Sequence, residues 1–350
     1  MSSDTTTRND PVCEGPTARQ HAARIDEGAF VPILGLDHWL TLRGDDRTNP
    51  ALLVLGGPGV GLSAFAPLFA AWERQFTVVQ WDQPGCGATH AKNGEARTGA
   101  LTIERLVRDA IAVAGHARDR LGKKRVVLLG GSAGSMLALT IASRRPDLVS
   151  ACVCTGAFVD WPRQDAASYA LVLARARAAH DDAAVAELER IGPPPYRDTG
   201  TDAIKSKYAG AFTPAEAAAI AAVRPALESP PADATYVAHG LVLGDPRALA
   251  TAAYDQLRAE IVTFDARRLG RSFRVPVFFF QGEHDAYSVT DAVRDYVAWI
   301  DAPRKLLAVV PGAGHSPMFA AELLLELLVA HVRPIAPDAE RAIGGNDARP

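Results

Sequence analysis

The stretch RVVLLGGSAGSMLALTIASRR, residues 125–145, decides how the rest of this 350-residue chain is interpreted. Arg125–Leu129 is an apolar run typical of a buried strand, and Ala133–Arg144 has the composition of a helix. Between them lies Gly130-Gly131-Ser132-Ala133-Gly134, a G-x-S-x-G motif. A sharp turn from strand to helix needs small residues beside the serine, and it exposes the serine hydroxyl at the end of a sheet. The motif therefore predicts that Ser132 is a nucleophile.

Strands and helices alternate on both sides of this stretch. Apolar runs predict strands at Phe30–Leu36, His38–Arg43, Ala51–Leu55, Phe76–Trp81, Val149–Cys154, Val275–Gln281 and Lys305–Val310. Helical spacing predicts helices at Thr102–Leu121, 289–300 and 318–332. Strands that are apolar throughout and alternate with helices indicate an α/β fold with a mostly parallel sheet flanked by helices on both faces.

The alternation stops in one long internal segment. Residues 158–267 contain alanine-rich helical segments and proline clusters, and no strand is predicted there. We interpret residues 28–157 and 268–335 as one α/β core into which residues 158–267 are inserted as a helical cap. The polar segments 1–27 and 336–350 are expected to be flexible tails.

Composition argues against two classes of partner. Apolar residues make up 48% of the chain, which suits a large core, and the net charge of −3 gives no basic field for nucleic acid. Two uncharged stretches, Ala51–Trp72 and Val126–Ser143, have glycines in the middle, so we interpret each as a strand, a turn and a helix. We therefore expect neither a nucleic-acid nor a membrane partner, and the sequence leaves the oligomeric state open.

The cysteines indicate a reducing environment. Cys13, Cys86, Cys152 and Cys154 form no CxxC pair, and their spacing is poor for zinc. The first residues lack the basic start and apolar run of a signal peptide. We expect four reduced thiols, a cytoplasmic location, and no metal or cofactor.

A neutral serine is a poor nucleophile, so Ser132 needs a base. Where a G-x-S-x-G serine is the nucleophile, its partners follow in the chain order Ser, Asp or Glu, His. Of the nine histidines, only His284 and His315 come directly after late predicted strands. His315 lies in PGAGHSPM, a loop of small residues that can carry an imidazole across the end of the sheet. We predict that His315 is the base.

An acid is expected to orient that imidazole and to stabilise its charged form. The segment VFFFQGEHD offers Glu283 and Asp285 just after the preceding predicted strand. Asp160, which follows the strand at Val149–Cys154, is a further alternative. The residues alone leave the choice open.

The glycine-rich stretch LLVLGGPGVG, residues 52–61, fits no phosphate-binding motif. A P-loop needs lysine where Leu62 stands, and the spacing of a dinucleotide fingerprint also fails. The nucleophilic mechanism instead needs N–H donors for the oxyanion on the substrate carbonyl. We predict one donor at the amide of Ala133 and the other at Gly56 or Gly57, because Pro58 has no N–H.

Taken together, these motifs resemble those of the α/β-hydrolases, and among them the proline iminopeptidase-like group. The family's HGGPG loop, D-Q-R-G-x-G segment, GGSWGS turn and late G-x-x-D and G-H segments appear here as Leu55–Gly59, Asp82–Gly87, Gly130–Ser135, Gly282–Asp285 and Gly314-His315. The resemblance implies an α/β-hydrolase fold with a Ser132, Asp285 and His315 triad. It also implies that Gly57 and Ala133 are the oxyanion donors.

Three positions depart from the family pattern. Leu55 replaces a histidine, Pro84 an arginine, and Ala133 a tryptophan. None of them belongs to the implied triad, so they bear on the substrate rather than on the reaction. In this family, acidic residues of the cap recognise a free N-terminal amine. This cap offers as candidates Glu187, Glu189, Glu216 and Glu228.

Three functions follow as hypotheses. The first is an aminopeptidase that releases an N-terminal residue, preferably proline, from a short peptide. The second is a carboxylesterase or another hydrolase of a small ester, amide or lactone. The third is an inactive binding protein on the same fold. A dehalogenase or epoxide hydrolase would carry aspartate in place of Ser132, and the sequence argues against both.

Overall fold

The computed structural model of the chain describes residues 24–210, 212–228 and 244–336. Most of the two predicted tails, residues 1–23 and 337–350, lies outside these ranges. The first strand begins at Ile25, whose side chain is buried and whose backbone pairs with Gly44. The core boundary predicted at residue 28 is therefore three residues too late, because residues 25–27 belong to the sheet.

The strands form one eight-stranded sheet with the order β1-β2-β4-β3-β5-β6-β7-β8. β2 is antiparallel to both of its neighbours, β1 and β4, and the pairs from β4 to β8 are all parallel. This confirms the predicted α/β fold with a mostly parallel sheet. The strands are β1 (Ile25–Ile33), β2 (Leu36–Gly44), β3 (Ala51–Leu55), β4 (Thr77–Asp82), β5 (Val126–Gly131), β6 (Val149–Thr155), β7 (Val277–Gly282) and β8 (Lys305–Val310).

Helices cover both faces of the sheet, and α4 to α8 lie between β6 and β7. The helices are α1 (Gly87–Thr98), α2 (Ile103–Leu121), α3 (Gly134–Arg144), α4 (Trp161–Ala178), α5 (Asp182–Ile191), α6 (Thr199–Ala209), α7 (Pro214–Glu228), α8 (Pro246–Ile261), α9 (Thr290–Trp299) and α10 (Ala321–Leu327). A run of 3-10 turns, Leu62–Arg74, follows β3. The helix expected after the glycines of Ala51–Trp72 is therefore present as 3-10 turns, whereas the sequence pattern missed α1. The helix predicted at 318–332 is a 3-10 turn, α10 and a π turn in succession.

Alternate residues of each central strand pack into two different apolar clusters. Leu53 and Leu128 face the cluster that contains α2, α3 and α9, whereas Leu52 and Val127 face the 3-10 run and α10. This follows from the two-residue period of a strand. A sheet that is buried on both faces is rigid, and its parallel strands present their carboxyl ends at one edge. The loops after β3, β5, β7 and β8 therefore meet at that edge.

The inserted helices have a small core of their own and a firm attachment to the sheet. Tyr169, Val172 and Leu188 are buried together in the cluster formed by α4, α5 and α6. Helix α8 instead contributes buried residues to the main cluster. An antiparallel bridge between Asp160 and Asp265 joins the two ends of the insertion. Among the described residues, no helix has the length and apolar character needed to span a membrane.

Candidate active site

Ser132 lies on a strained turn between β5 and α3. Its φ of +54° is unusual for a residue other than glycine and indicates backbone strain. The turn is tight on both sides: a Cβ at Gly134 would lie 2.1 Å from the Leu55 carbonyl oxygen, and one at Gly130 would lie 2.6 Å from the Gly134 carbonyl oxygen. Only glycine fits at these two positions. The turn therefore holds the Ser132 side chain at the carboxyl edge of the sheet.

His315 lies beside this serine. The distance from Ser132 Oγ to His315 Nε2 is 2.8 Å, although 183 residues separate the two in the chain. The imidazole stacks on Phe158 at a ring distance of 6.1 Å and meets the edge of Tyr287 at 4.7 Å. These rings fix the imidazole plane. The geometry suits proton transfer between the hydroxyl and the ring.

The structure brings Asp285 to the other side of this imidazole. Both carboxylate oxygens of Asp285 lie 3.3 Å from His315 Nδ1. Glu283 accepts a hydrogen bond from the Gly312 amide and is exposed. Asp160 caps α4 by accepting from the Arg163 amide, and it pairs with Arg267. The alternative acids therefore have other partners.

Sequence reasoning missed Ser288, which holds the Asp285 carboxylate. The Ser288 hydroxyl donates to Asp285 Oδ2 at 2.6 Å, and the Ser288 amide donates to Oδ1 at 2.8 Å. Burial by itself raises the pKa of Asp285, but His315 and these hydrogen bonds outweigh it, so the pKa lies below its ordinary value. The carboxylate stays ionised beside the imidazole. Asp285 also accepts from the Tyr287 amide two residues on, an Asx-turn for which the aspartate itself is the sequence signal.

The end of β3 carries the predicted oxyanion loop. Gln83, from the D-Q-P-G-C-G segment, donates to the Gly56 carbonyl oxygen at 2.9 Å. Because a peptide is planar and trans, this bond points the Gly57 amide in the opposite direction. Within the described ranges, the amides of Gly57 and Ala133 have no hydrogen-bond partner in the protein. Both are free to bind a ligand oxygen.

A family model described as the α/β hydrolase fold matches residues 49–321. The chain belongs to this family. The probable aminopeptidase YbaC of Bacillus subtilis is 25% identical over 284 residues, which cover 79% of this chain and 87% of the relative. The proline iminopeptidase of Neisseria gonorrhoeae is 32% identical over 123 residues, only 35% of this chain and 37% of the relative. The proline iminopeptidase-like resemblance predicted from the motifs is thus confirmed.

Solved structures show the same fold for this α/β hydrolase. The proline iminopeptidase-related protein of Thermus thermophilus superposes with a TM-score of 0.60 at 21% identity, over 89% of this chain and 99% of the other. A 2-hydroxy-6-oxo-6-phenylhexa-2,4-dienoate hydrolase from Rhodococcus superposes with a TM-score of 0.59 at 18% identity, over 89% and 99%. At these identities the likeness extends to the fold alone.

The candidate acids in the cap of this α/β hydrolase already have partners. Glu187 binds Lys207 and the Tyr208 hydroxyl, and Glu189 pairs with Arg177 on the surface. Glu216 is buried and accepts from the Gly314 and Thr213 amides. The side chain of Glu228 lies outside the described residues. Both carboxylate oxygens of Glu216 are engaged, whereas the bonds of Glu187 and Glu189 each use a single oxygen.

Within residues 24–210, 212–228 and 244–336, no group of three or more His, Cys, Asp or Glu could hold a metal ion. Cys86, Cys152 and Cys154 are buried free thiols. Burial raises the pKa of Cys86 and Cys154 well above the ordinary value, which keeps them protonated and unreactive. The fourth cysteine, Cys13, lies outside the described residues.

Proposed function

We propose that this α/β hydrolase is a serine hydrolase whose triad is Ser132, His315 and Asp285. The observation that carries the proposal is the continuous chain from Ser132 Oγ through His315 to the Asp285 carboxylate, with distances of 2.8 and 3.3 Å. The strained backbone of Ser132 also supports the proposal, because backbone strain is found preferentially at functional sites.

The geometry supports a nucleophilic mechanism. Ser132 Oγ attacks the acyl carbon of the substrate while His315 Nε2 takes the hydroxyl proton. Asp285 stabilises the imidazolium that forms and holds the ring in the correct tautomer. The Gly57 and Ala133 amides bind the oxyanion of the tetrahedral intermediate, and each such donor lowers the barrier by about 3 kcal/mol.

Collapse of the intermediate completes acylation. His315 returns its proton to the leaving group, and Ser132 remains as an ester of the acyl group. A water molecule then attacks this ester while His315 takes its proton, and His315 returns that proton to Ser132 Oγ as the acyl–oxygen bond breaks and the acid product leaves.

The first candidate for the substrate is a short peptide with a free N-terminus, cleaved after its first residue, preferably proline. The similarity to the probable aminopeptidase of Bacillus subtilis, over 79% of this chain, supports this choice. The shorter match to the gonococcal proline iminopeptidase also supports it.

A second candidate is a carboxylesterase or another hydrolase of a small ester, amide or lactone. The observation that favours it is that Glu187, Glu189 and Glu216 all bind partners within the protein. An ester substrate needs no amine-binding carboxylate.

A fluorophosphonate probe tests the reaction class. We expect the native protein to be labelled at Ser132, and Ser132→Ala to remain unlabelled. Ser143→Ala, on α3 but directed toward the Leu269 carbonyl, is the matched control and is expected to label normally. A native wild-type protein that stays unlabelled would contradict the proposal and favour a binding protein on the same fold.

A substrate panel separates the two candidates. Prolyl and other aminoacyl arylamides are compared with p-nitrophenyl esters by kcat/KM. Prolyl arylamide turnover far above ester turnover supports the aminopeptidase, and the reverse supports the esterase.

We also propose a cytoplasmic location. It is supported by the three described cysteines, which are free although Cys152 and Cys154 Sγ lie only 3.9 Å apart. Fractionation of the source cells, followed by fluorophosphonate labelling of each fraction, tests the location. Activity outside the cytoplasmic fraction would contradict it.

A further inference from the structure

Helix α8 of the insertion lies directly on the predicted oxyanion loop. A Cβ at Gly59 would lie 2.4 Å from the Ala250 Cα and 2.9 Å from the Leu249 carbonyl oxygen. A Cβ at Gly57 would lie 2.7 Å from the hydroxyl oxygen of Tyr254. The helix therefore approaches the loop as closely as glycine permits, and the Tyr254 hydroxyl is its nearest atom at Gly57.

This helix is held firmly against the core. Ala253, Leu257 and Ile261 are buried in the main apolar cluster. Gln256 accepts a hydrogen bond from the Leu101 amide at 3.0 Å, and Glu260 accepts from the Ile103 amide at 3.2 Å. Apolar contacts and hydrogen bonds thus both hold α8 against the core. Tyr254 is attached to the rigid part of the molecule.

The Tyr254 hydroxyl also lies near the nucleophile. Burial, followed by the charge of Asp202, raises the pKa of Tyr254 to about 12, although the nearby Ser132 side chain and Arg258 act in the opposite direction. The phenol therefore keeps its proton throughout the neutral range. It is a donor beside Gly57 and near Ser132, on the side of the loop where the carbonyl oxygen of an acyl substrate is expected to bind.

We propose that Tyr254 is a further catalytic residue, whose hydroxyl donates a third hydrogen bond to the oxyanion alongside the Gly57 and Ala133 amides. The inference rests on the serine-hydrolase function proposed above. Tyr254 donates a hydrogen bond and keeps its proton, while His315 alone carries the proton from Ser132 to the leaving group. The negative charge develops on the carbonyl oxygen while the three donors bind it, and it is lost when the tetrahedral intermediate collapses.

This assignment gives the insertion a chemical role. Two donors come from the backbone of the core, at the ends of β3 and β5, and the third comes from α8. Preorganised donors contribute most where charge develops, so the bond strengthens on going from bound substrate to transition state. Removing it is expected to lower kcat and to leave KM almost unchanged.

Tyr254→Phe tests the inference, because it removes one oxygen atom and keeps the ring. Hydrolysis of p-nitrophenyl butyrate gives kcat and KM, and fluorophosphonate titration gives the number of active sites. We expect kcat to fall by about 100-fold, with KM unchanged within about twofold. The ratio of wild-type to variant kcat is expected to stay constant from about pH 6 to pH 9, because the phenol does not titrate there.

Tyr208→Phe is the matched control. Its hydroxyl binds Glu187 on the surface of the insertion, and we expect wild-type kcat and KM. Thermal unfolding of both variants checks that the fold is intact. If wild type labels at Ser132 but Tyr254→Phe retains kcat within about threefold, or changes KM alone, the inference fails and the serine hydrolase stands. If wild type does not label at all, both fail.

Discussion

Glu216, on helix α7 of the insertion, accepts a hydrogen bond from the amide of Gly314, the residue before His315, at 3.0 Å. Its second carboxylate oxygen accepts from the Thr213 amide at 2.8 Å, and the Thr213 hydroxyl accepts in return from the Glu216 amide. This reciprocal pair is a capping box at the start of α7. One buried carboxylate therefore both begins a cap helix and fixes the loop that carries the predicted base.

Glu216→Ala is expected to impair both roles. Loss of the capping box costs about 1 kcal/mol, and the buried Gly314 amide loses its acceptor at a further cost of about 1–3 kcal/mol. The melting temperature is expected to fall, and kcat is expected to fall with it because the His315 loop loosens. Glu189→Ala, which removes only a surface ion pair with Arg177, is the control. Equal melting temperatures for the two variants would contradict the bridging role.

Ser288→Ala is expected to weaken catalysis without unfolding the protein. The variant removes the hydroxyl that donates to Asp285 and keeps the backbone amide bond. The pKa of Asp285 rises, and the carboxylate holds His315 less firmly. We expect kcat to fall by about 10-fold, since a hydrogen bond to a charged group contributes about 1.5–3 kcal/mol. Steady-state kinetics checks this, with Ser143→Ala as control, and an unchanged kcat would exclude Ser288 from the mechanism.

Disrupting a buried cluster of charges behind the site is expected to cause a large loss of stability. Lys205 is fully buried and contacts both Asp165 and Asp202, while Arg258 lies 3.3 Å from Asp202. The Lys205 ammonium also lies 4.6 Å from the centre of the Tyr287 ring, which packs against His315. The cluster therefore joins α4, α6 and α8 to the loop that carries Asp285.

Lys205→Met leaves two buried carboxylates with one cation. Breaking such a cluster costs about 3–5 kcal/mol, because the remaining charge is buried without a partner. Chemical denaturation measures the loss. Lys207→Met, on the same helix but exposed beside Glu187, is expected to change stability by less than about 1 kcal/mol. The double variant Asp165→Leu with Lys205→Met is expected to recover part of the loss, and full additivity of the two single losses would contradict the pairing.

The lowered pKa of the buried His38 predicts that the folded protein loses stability as the pH falls. Burial, followed by the charge of Arg105, lowers the pKa of His38 from 6.5 to about 4. Between these values the unfolded chain binds a proton that the folded protein excludes. Stability is therefore complete above pH 6.5 and falls as the pH approaches 4, by about 3 kcal/mol at most.

His38→Gln removes this titration while retaining an acceptor for the Trp81 indole, which donates to His38 at 3.0 Å. Urea unfolding at a series of pH values from 7 to 4 is expected to show a flatter pH dependence for the variant. His284→Gln, at an exposed position, is the control and is expected to follow wild type. Parallel curves for wild type and His38→Gln would show that His38 does not contribute to acid sensitivity.

Several features of the fold and site were predictable from short stretches of sequence. The apolar runs marked the sheet because strands buried on both faces need them. G-x-S-x-G marked the turn at Ser132 because Gly130 and Gly134 meet backbone atoms that no Cβ can approach. The predicted pairing of Ser132 with His315 matches the distance of 2.8 Å, since chain order and strand ends are enough to place both residues at one edge.

Other features depended on contacts between distant parts of the chain. The residues alone could not choose between Glu283 and Asp285, which lie two apart on the same loop. Only in the folded protein does Asp285 turn toward His315, held by Ser288, while Glu283 turns toward Gly312. Local composition carries no information about this direction, because it is decided by which partners the packed strands bring within reach.

The insertion shows the same division most clearly. Its helical character follows from local periodicity, but its acids looked alike in the sequence, and Tyr254 had no motif to mark it. Packing decided that Glu216 fastens the His315 loop and that the Tyr254 hydroxyl lies over Gly57. Steric constraints between neighbouring residues can be predicted from the sequence itself. A site assembled from β3, β5, β7, β8 and α8, in contrast, forms only when the folded sheet brings the ends of these elements together.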